Sequence, residues 1–138
     1  MEKLTGHKKV KTAVFISGTG SNLKNLIKFS RTKRSPIIID LIIANKKVEG
    51  LKYARQYRID KTVIRYENVK IAEKKILTLL TQKKINFICL AGFMKVLSKN
   101  FIKKFKGKII NIHPSYLPKY KGLNTSVRAL RNNEKFSG

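Results

Sequence analysis

The chain has 138 residues, 42% of them hydrophobic, with 32 lysines and arginines against seven acids and a formal net charge of +25. That length suits one domain with one good core, no apolar run reaches the ~18 residues of a membrane span, and a lone cysteine, Cys89, excludes a disulfide framework and fits a reducing cytoplasm. The charge points toward nucleic acid, but 25 of the basic residues are lysine and only seven arginine, scattered along the chain. Planar, bidentate recognition of phosphates and bases favours arginine, so nonspecific lysine enrichment ranks ahead of nucleic-acid binding, and the charge would attract small anionic substrates.

Residues 1–11 are basic and lack the apolar stretch of a secretory signal, which predicts a flexible leader ahead of a domain over residues 12–138. Residues 12–17, TAVFIS, predict a short buried strand. The turn GTGSN and a helix carrying Leu23, Leu26 and Ile27 at helical spacing come after it. Residues 36–44, PIIIDLIIA, predict a strand covered on both faces, as in a parallel sheet. A helix over 48–57 and a short strand over 62–64 come next. The clearest helix is predicted over 70–83, with Ile71, Ile76, Leu79 and Leu80 facing inward. A fourth strand over 85–91 contains Cys89. Ser98 can then cap a helix whose apolar side is Phe101, Ile102 and Phe105. Residues 108–111 predict a fifth strand and 125–131 a last helix.

Strictly alternating strands and helices predict an α/β fold: a Rossmann-like, open, mainly parallel sheet with helices on both faces. Ligands of such sheets sit beyond the carboxyl ends of the strands. Three segments fall at predicted strand ends: residues 18–22, 92–97 and 111–122.

Each segment has a chemistry. In Gly18-Thr19-Gly20-Ser21-Asn22 the glycines let backbone approach a ligand, and the helix behind them offers unpaired N–H groups to an anion. The turn predicts a phosphate site, with a plain glycine turn the equal alternative. Leu23 stands where a dinucleotide fingerprint needs its third glycine, and Asp40 lies inside a strand, so a nicotinamide cofactor is not expected. Phe93, Met94, Val96 and Leu97 could line a flat pocket for a ring system or pack into the core. Asn111 and His113 lie two residues apart where a strand runs out, and Pro114 and Pro118 stiffen the loop beyond that strand. An imidazole beside an amide suits proton transfer at a carbonyl, although a lone His at such a place is commonly a packed or capping residue.

SGTGSN at 17–22, LAGFMKVL at 90–97 and NIHPSYLPKYKG at 111–122, in this order, make the chain similar to the phosphoribosylglycinamide formyltransferase family from about Thr12 onward. The resemblance implies transfer of a formyl group from 10-formyltetrahydrofolate, a cosubstrate, to the amine of 5-phosphoribosylglycinamide in purine biosynthesis. It implies that Gly20, Ser21 and Asn22 bind the phosphoribosyl substrate. It implies that Lys70, Met94, Lys95, Val96, Leu97 and Asn111 bind the folate, and that Asn111 and His113 are catalytic. No metal and no membrane are implied, and the sequence offers no metal-ligand cluster.

Members of the family continue into a D-x-G element whose Asp charges and orients the catalytic His. After Asn111 the only acid here is Glu134. The expectation is therefore a domain lacking its C-terminal part, a fragment or a truncated product, with weak or no turnover unless a partner subunit supplies the missing carboxylate. Three alternatives stand beside the leading reading: a catalytically inert phosphate- or folate-binding module, methionyl-tRNA formyltransferase, and formyltetrahydrofolate deformylase. The last two share the Asn-x-His core but usually carry added domains.

Overall fold

The computed structural model describes residues 8–112. The loop bearing His113, Pro114 and Pro118, and the helix expected over 125–131, lie outside the described residues. The elements run β1 (Val10–Ile16), α1 (Ser21–Ser30), β2 (Ile37–Ala44), α2 (Leu51–Gln56), β3 (Asp60–Val63), α3 (Val69–Gln82), β4 (Phe87–Leu90), α4 (Lys99–Lys104) and β5 (Lys108–Asn111).

All strand pairs are parallel, and the five strands stand in the order β3-β2-β1-β4-β5. The chain winds outward from β1 through β2 to β3. It then crosses back over β1 and continues through β4 to β5. The reversal opens a crevice at the carboxyl ends of β1 and β4, where open α/β sheets bind their ligands.

Alternation along each strand feeds two cores. Ala13, Phe15, Leu41, Ile43 and Ile88 pack with Ala72, Ile76 and Leu80 of α3 and Phe101 of α4. Val14, Ile16, Ile42, Ala44 and Cys89 pack with Leu23 and Ile27 of α1 and Leu51 and Ala54 of α2. Strands covered on both sides favour apolar residues at successive positions, and the fully buried Thr12 of β1 is tolerated because its hydroxyl donates to the Val10 carbonyl at 3.0 Å.

The differences from expectation have local causes. β1 begins at Val10, so Val10 and Lys11 belong to the sheet rather than to a leader; the Val10 amide donates to the Pro36 carbonyl at 2.8 Å. The coverage of β2 fails at its start, where Ile38 is exposed. Asp40 is tolerated there because the β1 register steps from Thr12 opposite Ile39 to Ala13 opposite Leu41. Asp40 is thus the extra residue of a bulge, and its carboxylate reaches Lys11 at 3.3 Å.

On α3 the inward stripe is Ala72, Glu73, Ile76 and Leu80, while Ile71 is 54% exposed. Ile71 sits in the first turn, where the Asn68 side chain accepts from its amide at 3.1 Å, ahead of the part of α3 that lies on the sheet. On α4, Ile102 is likewise exposed and only Phe101 and Phe105 turn inward. Helix α2 is four residues shorter than the predicted span of ten, starting only at Leu51. No helix among the described residues is long and apolar enough to cross a membrane.

Candidate functional site

Two of the singled-out segments meet at the crevice. The β1–α1 turn brings Gly20 to φ 79°, a left-handed conformation that glycine adopts without strain. A side chain there would also collide: a Cβ on Gly20 would lie 2.8 Å from the Cα of Gly50. Gly50, in the β2–α2 connection, is as crowded, since its own Cβ would meet Ile16 at 2.8 Å and the Gly18 carbonyl at 2.9 Å. The Gly50 amide donates to that carbonyl at 3.0 Å. Two glycines pressed face to face therefore fix the turn before α1.

Helix α1 has no side-chain cap and no acid in its first turn. Ser21 and Asn22 are exposed there. Among the described residues no side chain caps its amino end, which can offer N–H groups and positive dipole to an anion.

The segment after β4 leaves the sheet through Ala91 and Gly92, the latter at φ 73°. Of the two alternatives for Phe93, lining a pocket or packing into the core, the structure shows core packing. Its ring is buried, edge-on to Phe15 at 5.3 Å and to Tyr66 at 5.7 Å, because a phenyl ring at the sheet edge gains more from core contact than from water. Met94, Lys95 and Val96 are exposed, Val96 to 81%, and Leu97 packs partly against the core.

A buried polar pair joins the segments. The Ser17 hydroxyl accepts from the Met94 amide at 2.8 Å and donates to Asn45 Oδ1 at 2.6 Å. Ser17 and Asn45 are both buried, and one hydroxyl thereby ties the ends of β1, β2 and β4 together. Sequence reasoning passed over Asn45 and Gly50. The available signal was their position: a polar residue and a glycine shortly after a strand end, on the edge where ligands bind.

The other candidates stand on the same edge. Asn111 is the last residue of β5, exposed, in register with Leu90, and the next amide, that of Ile112, donates to the Leu90 carbonyl at 3.1 Å. Asn111 therefore lies alongside the chain as it enters Ala91 and Gly92. His113 lies outside the described residues. Lys70 is exposed on the first turn of α3, after β3, and no hydrogen bond or ion pair among the described residues links it to the two segments at the crevice.

Among the described residues no three His, Cys, Asp or Glu side chains gather closely enough to hold a metal ion. Burial pushes the thiol of Cys89, on the α1/α2 side of β4, up to about 11, which makes it an inert core group rather than a nucleophile. Burial and the nearby Glu73 carboxylate push the Tyr66 hydroxyl well above its usual value.

Known proteins are similar to this chain over most of its length. The sequence model of the family described as "Formyl transferase" matches residues 10–138. The trifunctional purine biosynthetic protein adenosine-3 of Homo sapiens is 42% identical over 144 residues, covering 98% of this chain and 14% of that protein. Phosphoribosylglycinamide formyltransferase of Haemophilus influenzae is 39% identical over 132 residues, covering 93% of this chain and 62% of its own length. The crystal structure of phosphoribosylglycinamide formyltransferase from Anaplasma phagocytophilum superposes with a TM-score of 0.85 at 37% identity, over 95% of this chain and 62% of that one. The chain thus spans less than two thirds of each of these relatives.

Proposed function

Because the chain belongs to the formyl transferase family, we propose that it takes part in moving a formyl group from 10-formyltetrahydrofolate to the amine of 5-phosphoribosylglycinamide, a step of purine biosynthesis. The observation that carries this reading is the Ser17 tie, which holds an open helix N-terminus and an exposed, irregular segment at one crevice. An anionic substrate and a flat ring-bearing donor need two such surfaces side by side.

In this reading Gly20, Ser21 and Asn22 hold the phosphate of the acceptor through backbone and side-chain donors. Met94, Lys95, Val96 and Leu97 receive the folate, and Lys70 attracts its carboxylates. The substrate amine attacks the formyl carbon, and the carbonyl oxygen becomes an oxyanion. Asn111 donates to that oxygen as charge develops, where a preorganised donor counts most. His113 takes the proton released by the amine and passes it to N10 of the folate as the old carbon–nitrogen bond breaks. The product is the formylated amide plus tetrahydrofolate, with every proton accounted for and no redox change. The location that accompanies this reading is the cytoplasm, consistent with one buried, unpaired cysteine.

Calorimetry with phosphoribosylglycinamide and with a folate analogue, beside an assay of formyl transfer, tests the proposal. Saturable binding of both ligands is expected. Asn111→Ala and His113→Ala should keep the binding of phosphoribosylglycinamide and lower transfer by about a hundredfold or more. A chain that binds neither ligand, or transfers as well without His113, would refute the reading.

A further inference from the structure

We propose that Glu73 is a positioning residue for the folate-binding segment, fastening it from the neighbouring helix α3. The inference rests on the functional reading of residues 94–97 as that segment. Residues 92–97 have no regular secondary structure, and their shape depends on how their ends are held. One end is held by Ser17, which accepts from the Met94 amide and donates to Asn45. The other end is held by Glu73. Its Oε2 accepts from the Ser98 amide at 2.9 Å, and its Oε1 accepts from the Ser98 hydroxyl. That hydroxyl in turn accepts from the Phe101 amide at 3.1 Å and so caps α4.

Each end of the segment thus closes on the same device: a serine hydroxyl that accepts one amide and donates to a side-chain oxygen from another element. Between the two anchors Phe93 is pinned edge-on against Phe15 and Tyr66. Residues 94–96 project into solvent from a frame fixed on three sides.

Glu73 is a costly choice for this place. It is 5% exposed on the inner stripe of α3, where helical spacing calls for an apolar residue. A buried carboxylate persists only when its oxygens are satisfied, and among the described residues both are satisfied by Ser98 alone. No lysine or arginine pairs with it there. Capping a six-residue helix needs only a serine. Linking that cap to α3 by two hydrogen bonds also fixes where residues 94–97 must lie, at the crevice rather than over α4.

The test compares Glu73→Gln and Glu73→Ala in the full chain. Calorimetry is run with a folate analogue and separately with phosphoribosylglycinamide, and amide hydrogen exchange is followed at residues 94–98. Glu73→Ala should weaken the folate analogue about tenfold or more, through misplacement of the segment. Phosphoribosylglycinamide should stay within about twofold, since its turn is held by Gly50 and not by Glu73. Exchange at 94–98 should quicken. Glu73→Gln keeps an oxygen for the Ser98 amide and should restore most of the folate affinity; it also carries the test if the alanine variant does not fold. Equal losses for both ligands, or unchanged folate affinity in a variant whose segment exchanges faster, would overturn the proposal. A wild-type chain that binds phosphoribosylglycinamide but no folate analogue would overturn the functional reading of the segment, and this inference with it.

Discussion

Single buried atoms set several of this protein's properties. The Tyr66 hydroxyl is buried and has no hydrogen-bond partner among the described residues, while its ring packs on Phe93. Removing an unsatisfied buried hydroxyl while keeping the ring should stabilise, so Tyr66→Phe is expected to raise the unfolding free energy by about 1 kcal/mol. Denaturant unfolding measures this, and a loss of stability would reveal a partner for the hydroxyl. Cys89 titrates in the same direction. Folded, it keeps its proton to about pH 11; unfolded, it releases it near 9.0. The native state therefore binds more protons between these values, and stability falls as pH rises through the window, by about 3 kcal/mol at most, while below it the contribution is complete. Melting temperatures taken from pH 8 to 11 should decline less steeply in Cys89→Ala than in the wild type. Equal slopes would mean that the thiol is reached by water.

At the scale of elements, the connections carry more information than the strands and helices. Gly20 combines a left-handed backbone with a backbone neighbour 2.8 Å from any added Cβ. Gly20→Ala should therefore cost about 2–3 kcal/mol in unfolding experiments and weaken phosphate-bearing ligands; a fully stable variant would show that the α1 and α2 turns can separate freely. Ser98→Ala removes the cap of α4 and the hydroxyl that donates to Glu73 Oε1, while the backbone amide at 98 still donates to Oε2. The combined loss should be about 2–4 kcal/mol, well above that of an ordinary cap. A loss no larger than an ordinary cap's would show that water reaches the carboxylate. Sequence reading placed β5 at its observed ends and found the Ser98 cap, because a short apolar strand and a serine before a helix are local signals. It placed Ile71 and Ile102 inside and overlooked Glu73, because which turn of a helix touches the sheet depends on how the helix is laid down.

The whole molecule is dominated by charge. A net +25 over 138 residues leaves three ion pairs among the described residues, Lys11–Asp40, Lys52–Glu49 and Lys83–Asp60. Exposed pairs of this kind contribute little, whereas the repulsion among so many like charges acts on the whole compact state. Raising NaCl from about 20 to about 300 mM screens that repulsion and should raise the melting temperature. A fall would mean that the ion pairs outweigh it. The lysines lie on both helical layers, including Lys24, Lys28 and Lys52 on one and Lys74, Lys75, Lys99 and Lys103 on the other. Such a distribution spreads positive potential over both helical layers of the described residues and attracts small anions to each.

By itself the sequence determined the parallel α/β order and the two turns that flank the crevice. Strands covered on both faces are mostly apolar at successive positions, and chains turn on glycine where the backbone takes a positive φ, as at Gly20 and Gly92; both demands are written locally. Tertiary structure alone decided that Gly20 leans on Gly50, that Ser17 joins Asn45 to Met94, and that Glu73 reaches Ser98. Each of those contacts links residues about 25 to 77 positions apart, and only the winding of the chain around β1 brings them within hydrogen-bonding or van der Waals distance.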